Sequence, residues 1–240
     1  MPSKEAKELT KSNIDVYLLE VAKEYRRLGG KKMPAEMIVV GGASIILNYS
    51  FRNMTTDIDA MLYAPSAMKE AINHVEDKMG LNRGWLNEDF KRTVSYSPAL
   101  VRFSAYYKTF ANVLEVRTVN AEYLIAMKLR SKRIYRNDRS DIVGILAEHE
   151  KNGGKLTLER IEKAYEDLYG KEPMSEDAHA FIAAFIGSPN LDKAYQELFK
   201  TEGETLELLS EFEKEHTGEL NESNIEFIVT SLREKKGKSN

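Results

Sequence analysis

The first 120 residues alternate between helical and strand patterns of apolar side chains. Apolar residues recur every three or four positions in two segments that we predict as helices, 12–28 and 66–79. Short runs rich in β-branched and aromatic residues predict strands at 37–40, 56–62, 100–107 and 111–119. The last two strands are expected to pair as a hairpin through Lys108, Thr109 and Phe110.

After residue 120 the pattern is almost entirely helical. The predicted helices are 121–134, 138–149, 157–169, 175–186, 190–200, 203–216 and 222–235. Strands that come first and helices that come later favour an α+β fold. We expect a small mixed β-sheet core flanked by helices in residues 1–150 and an all-helical C-terminal region in residues 151–240.

Composition narrows the class of protein without identifying a function. The chain has 240 residues, 42% of them hydrophobic, and a formal net charge of −3, as in ordinary globular proteins. Its lack of cysteine excludes disulfides, thiolate metal ligands and a cysteine nucleophile, and fits a cytoplasmic location. No apolar stretch approaches the length of a membrane span, so we expect no membrane partner.

Charge is distributed unevenly along the chain. Residues 1–150 carry 23 basic and 19 acidic side chains, whereas residues 151–240 carry 12 and 19. A basic first region and an acidic second one suggest two functional regions. The acidic helices are a candidate surface for a partner protein.

The strongest chemical signal is a glycine pair followed by two aspartates. Gly41 and Gly42 come directly after a predicted buried strand, and Asp57 and Asp59 lie on the next strand. A glycine turn at a helix N-terminus offers free backbone N–H groups and lets a phosphate approach closely. Alternation places both aspartates on one side of their strand, where Mg²⁺ would relieve their mutual repulsion. The combination indicates metal-assisted phosphoryl or nucleotidyl transfer.

Each of these features also has a simpler interpretation. A glycine pair after a strand is often only a turn, and two aspartates at a strand end are often only a polar surface. A structural helical protein that contains both by coincidence is therefore an alternative. The order and the spacing of the two features favour the nucleotide site.

Two blocks of the sequence resemble a known superfamily. The first consists of Val40-Gly41-Gly42 and the segment Arg52 to Asp59, and it is similar to the signature of the DNA polymerase β-type nucleotidyltransferases. The second, Tyr123 to Ile142, is similar to a block of bacterial nucleotidyltransferase-like proteins related to the AbiEii-type abortive-infection toxins. The stretch Trp85 to Phe90 is typical of one branch of these proteins. The resemblance covers roughly residues 36–150.

The resemblance implies a small mixed sheet and two Mg²⁺ ions held by three carboxylates. Asp57 and Asp59 match the first two carboxylates. Alternation along the strand 111–119 lets Glu115 face the site, so Glu115 is our candidate for the third. An ion pair between Glu115 and Arg117 is the alternative, and Asp89 is a second candidate for the third carboxylate.

A further set of residues is expected to bind the phosphates of a nucleotide. They are Gly41, Gly42, Ser44, Arg52, Thr56, Lys128, Arg133 and Arg136. Three of them have alternatives. Ser44 could instead cap its helix, Arg52 could neutralise the aspartates, and Lys128 could form a salt bridge with Asp138 or Asp141. Arg133 and Arg136 are expected to hold a triphosphate or an RNA backbone.

Together these residues predict an Mg²⁺-dependent nucleotidyltransferase. A hydroxyl of an acceptor, which is RNA or tRNA, a protein or a small molecule, would attack the α-phosphate of an NTP. Family analogy alone adds the role of a toxin with a cognate antitoxin as its partner. The alternative is a catalytically inactive module of the same fold that binds a nucleotide or a partner protein.

Overall fold

A computed structural model describes residues 7–131, 137–221 and 224–238 of the chain. Its α-helices are α1 (Lys11–Arg27), α2 (Gly41–Asn48), α3 (Ala67–Met79), α4 (Ala121–Ser131), α5 (Asp138–Lys151), α6 (Leu158–Tyr169), α7 (Glu176–Phe185), α8 (Leu191–Glu215) and α9 (Ile225–Lys238). Its strands are β1 (Ala35–Val39), β2 (Ile58–Tyr63), β3 (Leu86–Asn87), β4 (Ser104–Phe110) and β5 (Leu114–Val119). Three short 3₁₀ helices occupy Gly30–Lys32, Asp89–Arg92 and Pro98–Phe103.

The strands form one mixed sheet in the order β3-β2-β1-β5-β4. The central strand β1 is antiparallel to β2 and parallel to β5. The outer pairs are β2 with β3, which is parallel, and β5 with β4, which is antiparallel. This mixed sheet flanked by helices, followed by helices alone, confirms the predicted fold class.

Both faces of the sheet are covered, which explains why β1 is apolar throughout its second half. On one face Met37 and Val39 join a core with residues of α1 and α3. On the other face Ile38 and Val40 join a second core built on α4 and α5. A strand covered on both faces loses the alternation of apolar and polar residues. The second core also includes Leu168 and Leu191, so residues on both sides of position 150 contribute to it.

The structure corrects the predicted hairpin. Its turn lies at Ala111 and Asn112, with φ angles of 47° and 56°, and β4 continues through Phe110. Residues Pro98–Phe103 form a 3₁₀ helix, because Pro98 starts it and the Ser97 hydroxyl accepts a hydrogen bond from Ala99 N. The predicted strand 100–107 was therefore placed too early along the chain.

The C-terminal half contains a second correction. The predicted helices 190–200 and 203–216 form the single helix α8, which passes through Gly203 without interruption. Glu202 and Thr205 on this helix are buried, so tertiary packing offsets the low helix propensity of glycine there. The end of the predicted helix 121–134 lies outside the described residues. Within the described ranges, no helix has the length and apolarity needed to cross a bilayer.

Two helical glycines provide a matched test of this packing. A Cβ added at Gly144 in α5 would lie 2.5 Å from Cε2 of Phe51, whereas a Cβ added at Gly203 in α8 would meet nothing within 4 Å. We expect Gly144→Ala to lower the free energy of unfolding by about 1–3 kcal/mol through overpacking. We expect Gly203→Ala to raise it by about 0.5–1 kcal/mol through helix propensity. Urea denaturation measures both, and equal effects of the two substitutions would refute the close contact of Phe51 with α5.

Candidate active site

The two aspartates lie at the start of β2 and share one side of it. Asp57 directly precedes the strand and Asp59 is its second residue. The intervening Ile58 and the following Ala60 are buried in the first core, whereas both aspartates are half-buried. The side chains of Asp57 and Asp59 therefore project from the opposite face of the sheet.

The glycine turn meets this strand at Asp59. Val40 N donates a hydrogen bond of 2.9 Å to Asp59 O, and α2 begins immediately afterwards at Gly41. Gly41 has a φ of +60°, and a Cβ there would lie 3.6 Å from Asp59 Oδ2. The first N–H groups of a helix have no partner within it, and they carry the positive end of its dipole. The structure thus brings an anion-binding helix end beside a carboxylate.

Position 42 requires glycine, because the guanidinium group of Arg52 lies against its backbone and leaves no room for a side chain. A Cβ at Gly42 would be 2.9 Å from Nη2 of Arg52 and 3.1 Å from Oγ1 of Thr55. Arg52 Nε donates to Met54 O at 3.2 Å, and its Nη1 donates to Asp141 Oδ2 at 2.5 Å. Within the described chain, Nη2 has no acceptor. Arg52 therefore presents one donor nitrogen beside the turn while the other two are held in place.

Arg52 belongs to a buried cluster of four charges. Lys128 Nζ lies 2.8 Å from Asp138 Oδ1 and 2.7 Å from Asp141 Oδ2. The exposed fractions of the Arg52 and Asp141 side chains are 16% and 2%. Burial acts against the charge of Lys128, but the two nearby carboxylates outweigh it and raise the lysine pKa. Among the described residues the cluster contains two cations and two anions, and the pairing of opposite charges makes their burial tolerable.

This arrangement shows one of the two contacts expected of Lys128. Its side chain is 8% exposed, and its ammonium group contacts two carboxylates. The salt bridge offered as the alternative for Lys128 is present, to Asp138 and Asp141, and a contact of Lys128 with a phosphate stays a prediction. Asp138 and Asp141 hold basic side chains.

The loop between α2 and β2 is fixed by residues that the sequence did not single out. Ser50 N donates to Glu148 of α5 at 2.8 Å, and the Tyr195 hydroxyl of α8 donates to Phe51 O at 2.8 Å. Together with the Arg52–Asp141 pair, these contacts fix the segment that leads into Asp57. A lone glutamate and a lone tyrosine on two different helices carry no motif, so no sequence signal identified them.

Glu115 lies away from the two aspartates. It pairs with Glu36 of β1, whereas Val40, four residues further along β1, meets Asp59. Four residues of strand span about 13 Å, too far for a shared cation. Glu115 lies on the same face of the sheet as Asp59, but it forms an ion pair of 3.0 Å with Arg117. This ion pair is the alternative to the predicted role of Glu115 as third carboxylate, and the geometry favours it.

The other expected residues fall into three groups. Val40 occupies the N-cap position of α2, so the fully buried Ser44 does not cap the helix, and its contact with a phosphate stays a prediction. Thr56 is exposed directly before Asp57, and Asp89, the second candidate for the third carboxylate, has 78% of its side chain exposed. Arg133 and Arg136 lie outside the described residues.

One residue beside the aspartates was missed by the sequence analysis. Asn87 of β3 pairs directly with Asp59, on the same side of the sheet. Since β3 is only two residues long, no pattern of alternation could reveal it.

The donor set limits which cation the site can take. No group of three or more His, Cys, Asp or Glu side chains within the described ranges is arranged to hold a metal ion. Asp57 and Asp59 alone suit Mg²⁺, which binds through one or two carboxylates together with substrate phosphates and water. A site with three carboxylates does not fit the described residues.

A buried glutamate connects the acidic C-terminal helices to this region. Glu202 of α8 accepts hydrogen bonds from the first turn of α5, with Arg139 N at 3.0 Å from Oε1 and Ser140 N at 3.3 Å from Oε2. Its burial raises the glutamate pKa to about 7 despite these donors, and the negative charge of Asp141 adds to the shift. The helix that carries Asp138 and Asp141 is thus capped by α8.

The chain is similar to a family of known proteins. A family model described as "Nucleotidyltransferase of unknown function (DUF6036)" matches residues 16–168. The matched range contains the Gly41 turn, both aspartates and the four-charge cluster. No curated protein and no solved structure gives a significant match to the chain.

The four-charge cluster predicts a large loss of stability when one anion is removed. Asp141→Asn leaves Arg52 and Lys128 with a single carboxylate, and we expect it to lower the free energy of unfolding by about 3–5 kcal/mol. The matched control is Asp192→Asn, because Asp192 pairs with Lys151 at 2.7 Å with 67% of its side chain exposed. We expect the control to change stability by about 0.5 kcal/mol or less. Similar values for the two variants in urea denaturation would contradict the buried charge pairing.

The raised pKa of Glu202 predicts a pH dependence of stability with a definite sign. The pKa rises from 4.5 to about 7 on folding, so between these values the folded state binds a proton that the unfolded state does not. The contribution of protonated Glu202 to the free energy of unfolding is complete below pH 4.5. It is lost as the pH rises to about 7, by about 3 kcal/mol in total. Glu202→Gln removes this titration, so the stability of the wild type relative to the variant should fall between pH 5 and pH 8. A difference that is constant with pH would refute the shift.

Proposed function

The chain belongs to the DUF6036 family of nucleotidyltransferases of unknown function, and on this basis we propose that it transfers a nucleoside monophosphate from an NTP to a hydroxyl group. The hydroxyl oxygen forms the new bond to the α-phosphorus, pyrophosphate leaves, and the hydroxyl proton passes to water. The observation that carries the proposal is the contact between the glycine turn and the first residues of β2, where Gly41 lies against the carboxylate of Asp59. A phosphate bound at the N-terminus of α2 would lie beside the carboxylates that bind its counter-ion.

The described residues have different roles at the proposed site. Backbone N–H groups at the start of α2 and the Nη2 nitrogen of Arg52 bind phosphate oxygens, since both donors flank Gly42. Asp57 and Asp59 would hold Mg²⁺, which would supply positive charge to the phosphates during transfer. Lys128, Asp138 and Asp141 keep Arg52 in place.

The acceptor and the biological role are further parts of the proposal. RNA or tRNA, a protein and a small molecule remain the candidate acceptors, and a toxin role with a cognate antitoxin rests on the resemblance to AbiEii-type proteins. Growth arrest on expression of the wild type, relieved by Asp59→Asn, would support the toxin role. Normal growth would count against it.

A catalytically inactive nucleotide-binding module is the second candidate. The observation that favours it is the carboxylate pair, which has no third acidic partner within the described ranges. Binding of an NTP without any transfer to an acceptor would support this candidate over the enzyme.

Isotope labelling tests the proposed activity. The protein is incubated with Mg²⁺ and each α-³²P-labelled NTP, together with bulk RNA and a protein extract, and label on a macromolecule is measured. We expect Asp57→Asn and Asp59→Asn to lower labelling by about a hundredfold or more, because both remove charge at the phosphate site. Glu115→Gln is the matched control, since Glu115 lies four residues along the sheet and pairs with Arg117.

The control defines the outcome that contradicts the site. Labelling that survives both aspartate substitutions but is lost in Glu115→Gln would place the chemistry at the other end of the sheet. Circular dichroism of each variant establishes that the fold is retained.

A further inference from the structure

The segment Trp85 to Phe90 forms the third side of the candidate site. Trp85 O accepts a hydrogen bond from Ile58 N at 2.7 Å, beside the first aspartate. Further along, Glu88 Oε1 accepts a hydrogen bond from Leu62 N at 2.9 Å and also contacts Lys91. The segment is thus bound to β2 on both sides of Asp59. The proposed function leaves it without a role.

The register of β3 places Asn87 next to Asp59. Leu86 pairs with Ile58, and both are buried in the first core, so Asn87 and Asp59 point together to the opposite face. Neighbouring strands are separated by about 4.8 Å, which is within the reach of one cation bound by both side chains. Both residues are half-buried.

Two hydrogen bonds hold the Asn87 amide in one orientation, and its oxygen can still bind a cation. Its Oδ1 accepts a hydrogen bond from Asp89 N at 2.8 Å, and its Nδ2 donates to Gly84 O at 3.0 Å. An amide oxygen has two lone pairs, so Oδ1 can accept one more ligand while the hydrogen bond to Asp89 N persists. Amide and carbonyl oxygens are ligands of hard divalent cations in proteins.

We propose that the side-chain oxygen of Asn87 is a neutral third oxygen ligand, beside Asp57 and Asp59, for a single divalent cation. This inference rests on the proposed function, because it assigns a ligand to the cation of that site. The other nearby acids are less suitable. Asp89 is highly exposed, and Glu88 is engaged by Leu62 N and Lys91. With an amide in this position the ligand set carries two negative charges, which suits one cation and not two.

Cation binding to the intact protein tests the assignment without requiring activity. The probe is Mn²⁺, which takes the same oxygen ligands as Mg²⁺ and whose free ion is followed by electron paramagnetic resonance. Asn87→Asp adds a charge beside Asp59 and keeps an acceptor for Asp89 N, so we expect about tenfold tighter binding. Asn87→Ala removes the ligand and should weaken binding by about tenfold.

The matched control makes the same exchange at the opposite end of the sheet. Asn112 lies in the turn between β4 and β5 with a φ of 56°, a conformation that aspartate also tolerates. We expect Asn112→Asp to bind Mn²⁺ as the wild type does. If Asn87→Asp binds no more tightly than the wild type, or if Asn112→Asp tightens binding equally, the assignment is overturned.

Labelling with NTPs on the same proteins separates this inference from the proposed function. If the Mn²⁺ affinity changes as expected in the residue 87 variants but no protein transfers a nucleotide, Asn87 is upheld as a ligand and the proposed enzyme activity is rejected. If transfer requires Asp59 but the Mn²⁺ affinity is the same in all residue 87 variants, the proposed enzyme activity is upheld and the assignment of Asn87 as a ligand is overturned.

Discussion

The candidate site depends on one buried ion pair, between Arg52 and Asp141. Arg52 comes from the loop before β2 and Asp141 from the first turn of α5, so this pair helps to join the carboxylate strand to the helices that follow the sheet. Removal of two charges from water is costly, and among the described residues the pairing of Lys128 with Asp138 and Asp141 offsets part of that cost. Gly42 is part of the same constraint, since a side chain there would displace the guanidinium.

The two sequence blocks that resemble the superfamily have different roles in the structure. The block around Gly41 and Asp59 supplies groups that can face a ligand, namely a helix N-terminus and half-buried carboxylates. The block around Lys128 and Asp141 supplies charges that are buried and paired. A lysine on an apolar helix face needs an anion, and the protein provides that anion itself. The resemblance in sequence was therefore informative about family, but it did not separate residues that touch a ligand from residues that hold others.

The C-terminal helices extend the same network outward from the sheet. Glu202 of α8 caps the helix that carries Asp141, and Tyr195 of α8 holds the carbonyl of Phe51, one residue before Arg52. Since Gly144 allows the Phe51 ring to pack on α5, the loop is enclosed from two sides. Helix α8 therefore contacts both the loop that carries Arg52 and the helix that carries Asp141. The acidic region has at least this structural connection to the site.

Most helices and strands and the carboxylate pair follow from local patterns in the sequence, whereas packing between distant segments selects the residues that join the pair. Glycine after an apolar run and alternating aspartates are local signals, because backbone sterics and strand geometry depend on neighbours in the chain. That is why the Gly41 turn and the shared side of Asp57 and Asp59 were predictable. The distance of Glu115 from the pair and the position of Asn87 beside it depend on the register between strands, which no single segment encodes. The partners of Lys128 were likewise set by packing, because only the folded chain brings opposite charges together in a space without water.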